Sequence, residues 1–201
     1  MDFNAAIRIN PGLAEAYLAR GVAYRSKEER EKARADFDKA IAINDHLAEA
    51  YINRAELKLD AGDLAAASQD LNLALKFNPG LAETHYLLGY VAMGRAEFDA
   101  AIAHFDRAIA IKPQLASAYH GRGTAEMKLS HLDTAITDFS RALELNSELP
   151  FAYMNRGLAR LMKHDDDAAG KDFEECLRLS PALRGDLEKR IELAKTLRPK
   201  P

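Results

Sequence analysis

The residues with the clearest chemical potential are the run His164-Asp165-Asp166-Asp167, the remaining histidines and one cysteine, Cys176. A histidine beside three carboxylates offers the donors of a divalent-cation site. The run falls, however, between two helical stretches, where aspartate accepts from free backbone N–H groups and favours the positive end of the helix dipole. Capping is therefore the role expected, and no metal is assigned. His131 and His164 have spacings that bring them near one another, yet two ligands do not make a structural zinc site. Cys176 has no second cysteine to pair with and stands where small residues recur, so it reads as a small buried hydrophobe. No glycine-rich phosphate loop follows a strand, and no nucleophile, base and orienting group are spaced to assemble. The expectation is a non-catalytic chain without cofactors.

Charge and composition narrow the remaining classes. With 28 Lys+Arg against 31 Asp+Glu the net charge is −3, which leaves no basic footprint for nucleic acid. Hydrophobic residues at 48%, with only 7 prolines and 11 glycines, indicate a folded chain rather than a disordered one. No apolar run approaches the ~18 residues of a membrane span, and Met1-Asp2-Phe3-Asn4 lacks the basic and apolar regions of a signal peptide. No membrane insertion is expected, and the cysteine usage favours a cytoplasmic location without fixing the compartment.

What must position any functional residue is a repeat. Asn10-Pro11, Asn78-Pro79, Lys112-Pro113 and Ser180-Pro181 recur at multiples of 34 residues, and Asn44-Asp45 and Asn146-Ser147 fill the intervening slots. With Ala14 as position 1, the complete repeats are 14–47, 48–81, 82–115, 116–149 and 150–183. Position 4 is aromatic or histidine (Tyr17, Tyr51, His85, Tyr119, Tyr153), and position 8 is small (Gly21, Ala55, Gly89, Gly123, Gly157). Position 20 is always alanine, from Ala33 to Ala169. Position 24 is Phe37, Leu71, Phe105, Phe139 and Phe173, and position 27 is Ala40, Ala74, Ala108, Ala142 and Cys176. At ~100° per residue, positions 1, 4, 7, 8 and 11 share one face of a first helix, and 20, 24, 27 and 28 form the stripe of a second. Small residues let the two backbones approach while the large ones fill the space between. The fold class expected is all-α, an α-solenoid of stacked antiparallel helix pairs.

These positions resemble the signature of the tetratricopeptide repeat family: aromatic, then Leu-Gly, then Tyr, Ala-x3-Phe and Pro. The resemblance covers nearly the whole chain and implies a right-handed superhelix. It departs from the pattern in using Tyr for Trp, in keeping the second Tyr only at Tyr24, and in replacing the Leu of Leu-Gly by arginine in four repeats. That arginine varies together with another position. Position 7 reads Arg20, Arg54, Leu88, Arg122, Arg156, while position 23 reads Asp36, Asp70, His104, Asp138, Asp172. Pairing across repeats would set Leu88 against Asp70 and Arg122 against His104, so the pattern predicts a bidentate bridge within each repeat that fixes the register of its two helices.

Residues 1–13 hold the second helix of a truncated repeat, with Asp2 and Phe3 at the Asp and aromatic positions. This edge, with Phe3, Ala6 and Ile7, is a candidate for self-association into a homo-oligomer through residues 1–10, or for continuation of a longer array. Residues 184–201 carry an amphipathic helix, with Leu187, Ile191 and Ala194 on one side, which reads as a C-terminal solvating helix and tail.

The resemblance implies that the first helices line a concave face, whose free sector holds positions 2, 5, 6, 9, 12 and 13. Candidate groove residues are Glu15, Leu18, Val22, Glu49, Ile52, Asn53, Glu56, Glu83, Tyr86, Tyr90, Met93, His120, Met127, Met154, Asn155, Leu158 and Met162, with Asp60 extending an acidic row and Phe151 and Leu161 an apolar one. Positions 5 and 12 have a second reading, as residues half buried against the neighbouring first helix. Two binding modes known in the family do not fit. The basic and asparagine clamp for chaperone carboxylates meets Leu18, Val22, Asn53, Glu83 and Leu87, and the asparagine ladder is broken to Ala19, Asn53, Leu87, Gly121 and Asn155. The expectation is a protein-interaction module or scaffold whose groove takes a partner peptide or helix with apolar anchors and a basic flank. The alternatives are a recruiting or regulatory segment of a larger enzyme and a self-assembling structural protein.

Overall fold

The computed structural model describes residues 3–198, and every regular element among them is helical. The helices are α1 (Phe3–Ile9), α2 (Ala14–Ser26), α3 (Arg30–Ile43), α4 (Ala48–Asp60), α5 (Leu64–Phe77), α6 (Ala82–Gly94), α7 (Phe98–Ile111), α8 (Ala116–Lys128), α9 (Leu132–Leu145), α10 (Pro150–Met162), α11 (Asp166–Leu179) and, after a short 3-10 turn, α12 (Arg184–Leu197). They fall into two compact units, α1 to α6 ending at Arg95 and α7 to α12 beginning at Ala96. In the first unit α2 packs on α3 and α4 on α5; in the second α8 packs on α9, α10 on α11, and α12 on α10. The architecture is an α-solenoid of stacked helix pairs.

Both kinds of connection follow from local chemistry. Between the two helices of a pair, position 15 takes a left-handed backbone at Glu28, Gly62, Ala96, Ser130 and His164, with φ between 59° and 78°. Glycine occupies this position only once. The turn is held by paired hydrogen bonds, as at Glu28 N to the Arg25 carbonyl (2.9 Å) and Glu29 N to the Tyr24 carbonyl (3.0 Å), repeated around Gly62, Ser130 and His164. This is the helix-ending arrangement in which the two residues past the cap satisfy the last free carbonyls. Between pairs, Asn10, Asn44, Asn78 and Asn146 each accept, through Oδ1, a backbone N–H two residues on, at 2.9–3.2 Å. That is why asparagine recurs in this slot.

The core is small residues under aromatic ones. Ala33, Ala67, Ala101, Ala135 and Ala169 are fully buried, as are Phe37, Phe139 and Leu71. A Cβ built at Gly21 would stand 2.6 Å from Phe37 Cε1, one at Gly123 2.9 Å from Phe139 Cε1, and one at Gly157 2.5 Å from Phe173 Cε1. In the repeat where position 24 is the smaller Leu71, position 8 is Ala55, whose methyl is buried in the same cluster. The ring thus sets the size of the residue beneath it.

Above this core sits a charged clamp. Arg20, Arg54, Arg122 and Arg156 each bond the aspartate of their own repeat through Nε and Nη2, for example Arg54 Nε to Asp70 Oδ2 at 2.8 Å and Nη2 to Oδ1 at 2.7 Å. The matching pairs are Arg20–Asp36, Arg122–Asp138 and Arg156–Asp172. The aspartates are buried, and hydrogen bonds to them raise the pKa of Arg54 and Arg122 against the opposing effect of burial. The bridge within each repeat is as the sequence predicts, but it uses only part of the guanidinium. The remaining Nη1 reaches position 25 of the preceding repeat: Asn4 (2.8 Å), Asp38 (2.6 Å), Asp106 (2.5 Å) and Ser140 (3.1 Å). Each arginine also lies over the position-4 tyrosine, at 5.5–5.6 Å from the ring centroid.

Two outcomes are expected in denaturant titrations. Arg122→Leu strands the buried Asp138 carboxylate and costs about 3 kcal/mol, whereas Arg122→Leu/Asp138→His, which installs the residue types found at Leu88 and His104, recovers most of the loss. Gly123→Ala costs about 1–3 kcal/mol through its clash with Phe139, and Phe139→Leu in the same chain makes that alanine nearly neutral relative to Phe139→Leu alone.

Candidate functional site

The first helices, α2, α4 and α6 in the first unit and α8 and α10 in the second, carry the candidate residues. Their ends are set by the turns described above, and their inner faces are committed to the tyrosine, arginine and glycine positions. Of the outer residues, Glu15, Glu49, Glu83, Val22 and Phe151 are exposed, and Tyr90 is 55% exposed. Leu18, Asn53, Glu56, Tyr86, Met93, His120, Met127 and Met162 are half-buried. Glu56 pairs with Arg25, which removes one charge from the acidic row, and Asn53 Nδ2 is turned back on the Glu49 carbonyl at 2.7 Å.

Four candidates are corrected. Ile52 (4% exposed), Met154 (0%), Leu158 (6%) and Asn155 (8%) are buried and do not form an open surface. Ile52, at position 5, is buried with Leu87, Leu88 and Val91 of the adjoining first helix, as the second reading of that position expects, whereas Met154 is buried in a cluster with residues of α11 and α12. Leu158, together with Leu161, is covered in the cluster that α12 completes with Leu187 and Ala194. The sequence signal for this is the apolar side of α12, whose periodicity marks a buried face without naming the surface it covers.

Two clefts open among these residues. In the first unit, α4 and α6 bound a cleft of about 210 Å³ lined by Glu56, Leu59, Asp60, Tyr86, Leu87 and Tyr90. In the second, α8, α10 and α12 bound one of about 300 Å³ lined by Met127, Lys128, Ser130, Leu158, Met162, Arg190, Leu193, Ala194 and Leu197. Leu193 and Leu197, not among the candidates, are 58% and 63% exposed. At the other end of the chain, Phe3, Ala6 and Ile7 are half-buried on α1, which packs on α2, while Asp2 lies outside the described residues.

The residues with catalytic potential are engaged structurally. Asp165 accepts from Ala168 N at 3.3 Å, capping α11, and Asp166 accepts from Arg198 Nη1 at 2.9 Å. Cys176 is fully buried, and burial pushes its thiol pKa up. No group of three metal-ligating side chains occurs among the described residues, and none of their helices is long and apolar enough to cross a membrane.

His120 has a specific internal role. Asn155 Nδ2 donates to its Nε2 at 3.2 Å, its ring lies 5.7 Å from that of Phe139, and the Phe151 backbone also bonds it. Burial lowers its pKa from the ordinary 6.5, partly offset by the Phe151 bond. The fold therefore holds the ring neutral while the unfolded chain protonates near 6.5, so its contribution is complete above that pH and is lost as pH falls through the lower folded value. Burial lowers His104 in the same direction. Urea titrations from neutral pH down to about pH 5 should show stability falling with pH, and His120→Gln should reduce that slope without abolishing it.

Comparison with known proteins agrees with this geometry. Two tetratricopeptide repeat models match the chain, one over residues 14–47 and the other over 52–116 and 120–183. No curated protein matches. Among solved structures the chain is similar to YrrB, a TPR protein with an unusual peptide-binding site, at 22% identity and a TM-score of 0.74 over 98% of this chain and 99% of that one. It is similar to MamA at 25% identity and 0.70, over 82% and 96% of the two chains, and to PilF of Pseudomonas aeruginosa at 16% and 0.77, over 83% and 76%. Because the matched segments cover most of the sequence and follow its successive helices, the chain belongs to the tetratricopeptide repeat family.

Proposed function

We propose that this chain is a non-catalytic module that binds a protein partner, as a peptide or helix, on the outer faces of its first helices. Tetratricopeptide repeats support protein–protein interaction in general, and the similar YrrB has a peptide-binding site. The observation that carries the reading is the cleft of the second unit. There Met127 and Met162 stand beside Leu193 and Leu197, two leucines left more than half exposed on a helix whose Leu187 and Ala194 are buried. Adaptable methionine beside exposed leucine suits the apolar anchors of a peptide or of an amphipathic helix. Lys128 and Arg190 line this cleft, and Arg190 is paired with Asp186 at 2.7 Å. A basic flank on the partner therefore matches the carboxylates of the first unit rather than this cleft.

Selection of peptides from a displayed random library against the whole chain tests the reading. Selected peptides should carry spaced apolar residues and bind a Met127→Glu/Leu193→Glu variant at least about tenfold more weakly, a difference of ~1.4 kcal/mol. Circular dichroism should be unchanged, since neither residue is buried. Equal binding by the variant would remove this cleft from the function.

A further inference from the structure

The cleft between α4 and α6 has a chemistry of its own. Its lining holds two carboxylates, Glu56 and Asp60, two tyrosines, Tyr86 and Tyr90, and two leucines, Leu59 and Leu87, with no lysine or arginine among them. One repeat earlier the same arrangement is closed from within. Arg25, at position 12 of its repeat, extends to Glu56, at position 9 of the next. One repeat later, position 12 is Leu59 and position 9 is Tyr90, so the chain supplies no arginine of its own at the equivalent place. Asp60 is the last residue of α4 and is exposed, so its charge adds to the negative end of the helix dipole. Among the described residues no ion pair or hydrogen bond engages its side chain.

We propose that this cleft receives an arginine side chain of the protein partner. With Glu56 already paired to Arg25, a guanidinium suits what this lining leaves open: Asp60, the ring of Tyr90 and the leucines. Its flat face stacks on a tyrosine ring, its N–H fork meets a carboxylate, and its aliphatic stem lies along leucine. Tyr90, exposed over more than half its surface, presents the ring, and the Arg25–Glu56 pair shows that a guanidinium is accepted at the cleft's border. Lysine has the charge but neither the plane nor the fork, and ranks below arginine here. The proposal rests on the outer faces of the first helices being the ligand surface, and it assigns the basic residue of the partner to a particular pocket.

The test uses acetyl-arginine amide as probe, added to the uniformly 15N-labelled whole chain at low ionic strength. Its neutral near-isostere, acetyl-citrulline amide, is run in parallel. Saturable amide shifts should appear on the last turn of α4 and along Tyr86 to Tyr90 with arginine, and citrulline should bind about tenfold more weakly or not at all. Asp60→Asn and Tyr90→Ala, both at exposed positions, should each weaken the arginine response severalfold, while Tyr90→Phe keeps it. Equal shifts with citrulline, shifts centred elsewhere, or an Asp60→Asn variant that binds as well as wild type would overturn the assignment. Failure here with peptide selection at the second unit's cleft still succeeding overturns only this pocket. Success here with that selection failing overturns only the apolar cleft.

Discussion

The interaction on which the rest of the architecture depends is the three-way bonding of the position-7 arginine. A guanidinium has five donors in a fixed plane, and here the plane is divided between two repeats: Nε and Nη2 serve the aspartate of the arginine's own second helix, and Nη1 serves the preceding one. One side chain therefore sets the pairing of helices within a repeat and the stacking of one repeat on the next. Its value is in register more than in net energy, because bringing charge out of water offsets much of the attraction. Lysine could not replace it, having no fork with which to hold two partners in fixed directions.

That clamp works only because the helices beneath it approach closely. Phe37, Phe139 and Phe173 lie against glycines where even a methyl would come within 3 Å, and those glycines are one residue from the arginines. The ring, the glycine and the guanidinium therefore form one constraint rather than three. The position-15 turn completes it. Its hydrogen bonds close the turns at Glu28, Gly62, Ser130 and His164 in the same way, so the chain accepts a left-handed backbone at Glu28, Ser130 and His164 without glycine. Fold is over-determined here, and local strain at single residues is absorbed.

This explains which parts of the molecule could be read from sequence. Helix pairing, the alanine core and the bridge within each repeat were legible because they recur, and comparison among copies in one chain exposes them. The link from each arginine to the preceding repeat was not legible, since position 25 varies among Asn4, Asp38, Asp106 and Ser140, all acceptors but of three residue types. The position-4 tyrosine varies with the clamp, becoming His85 in the same repeat where arginine becomes Leu88 and aspartate becomes His104. The groove was least legible. An angular sector of ~120° assigns residues to a side of an isolated helix, but burial is decided by neighbours. Met154 and Ile52 are covered by adjoining helices, and Leu158 by α12.

The same reasoning locates where recognition can differ between members built on one framework. Positions 4, 7, 8, 20, 23, 24 and 27 are committed to the clamp and the core, so their chemistry is not free to vary with a partner. Position 5 is largely committed to neighbouring helices. What remains on the first helices is chiefly positions 2, 9, 12 and 13, and it is there that the two clefts differ in kind: Tyr90, Glu56, Leu59 and Asp60 in one, Met127, Lys128 and Met162 in the other. Changes at these positions alter charge and shape without touching a clamp. A repeat that keeps its framework can therefore exchange an internal arginine, as at Arg25, for a leucine, as at Leu59, and leave the Asp60 carboxylate of that cleft for a side chain from another protein.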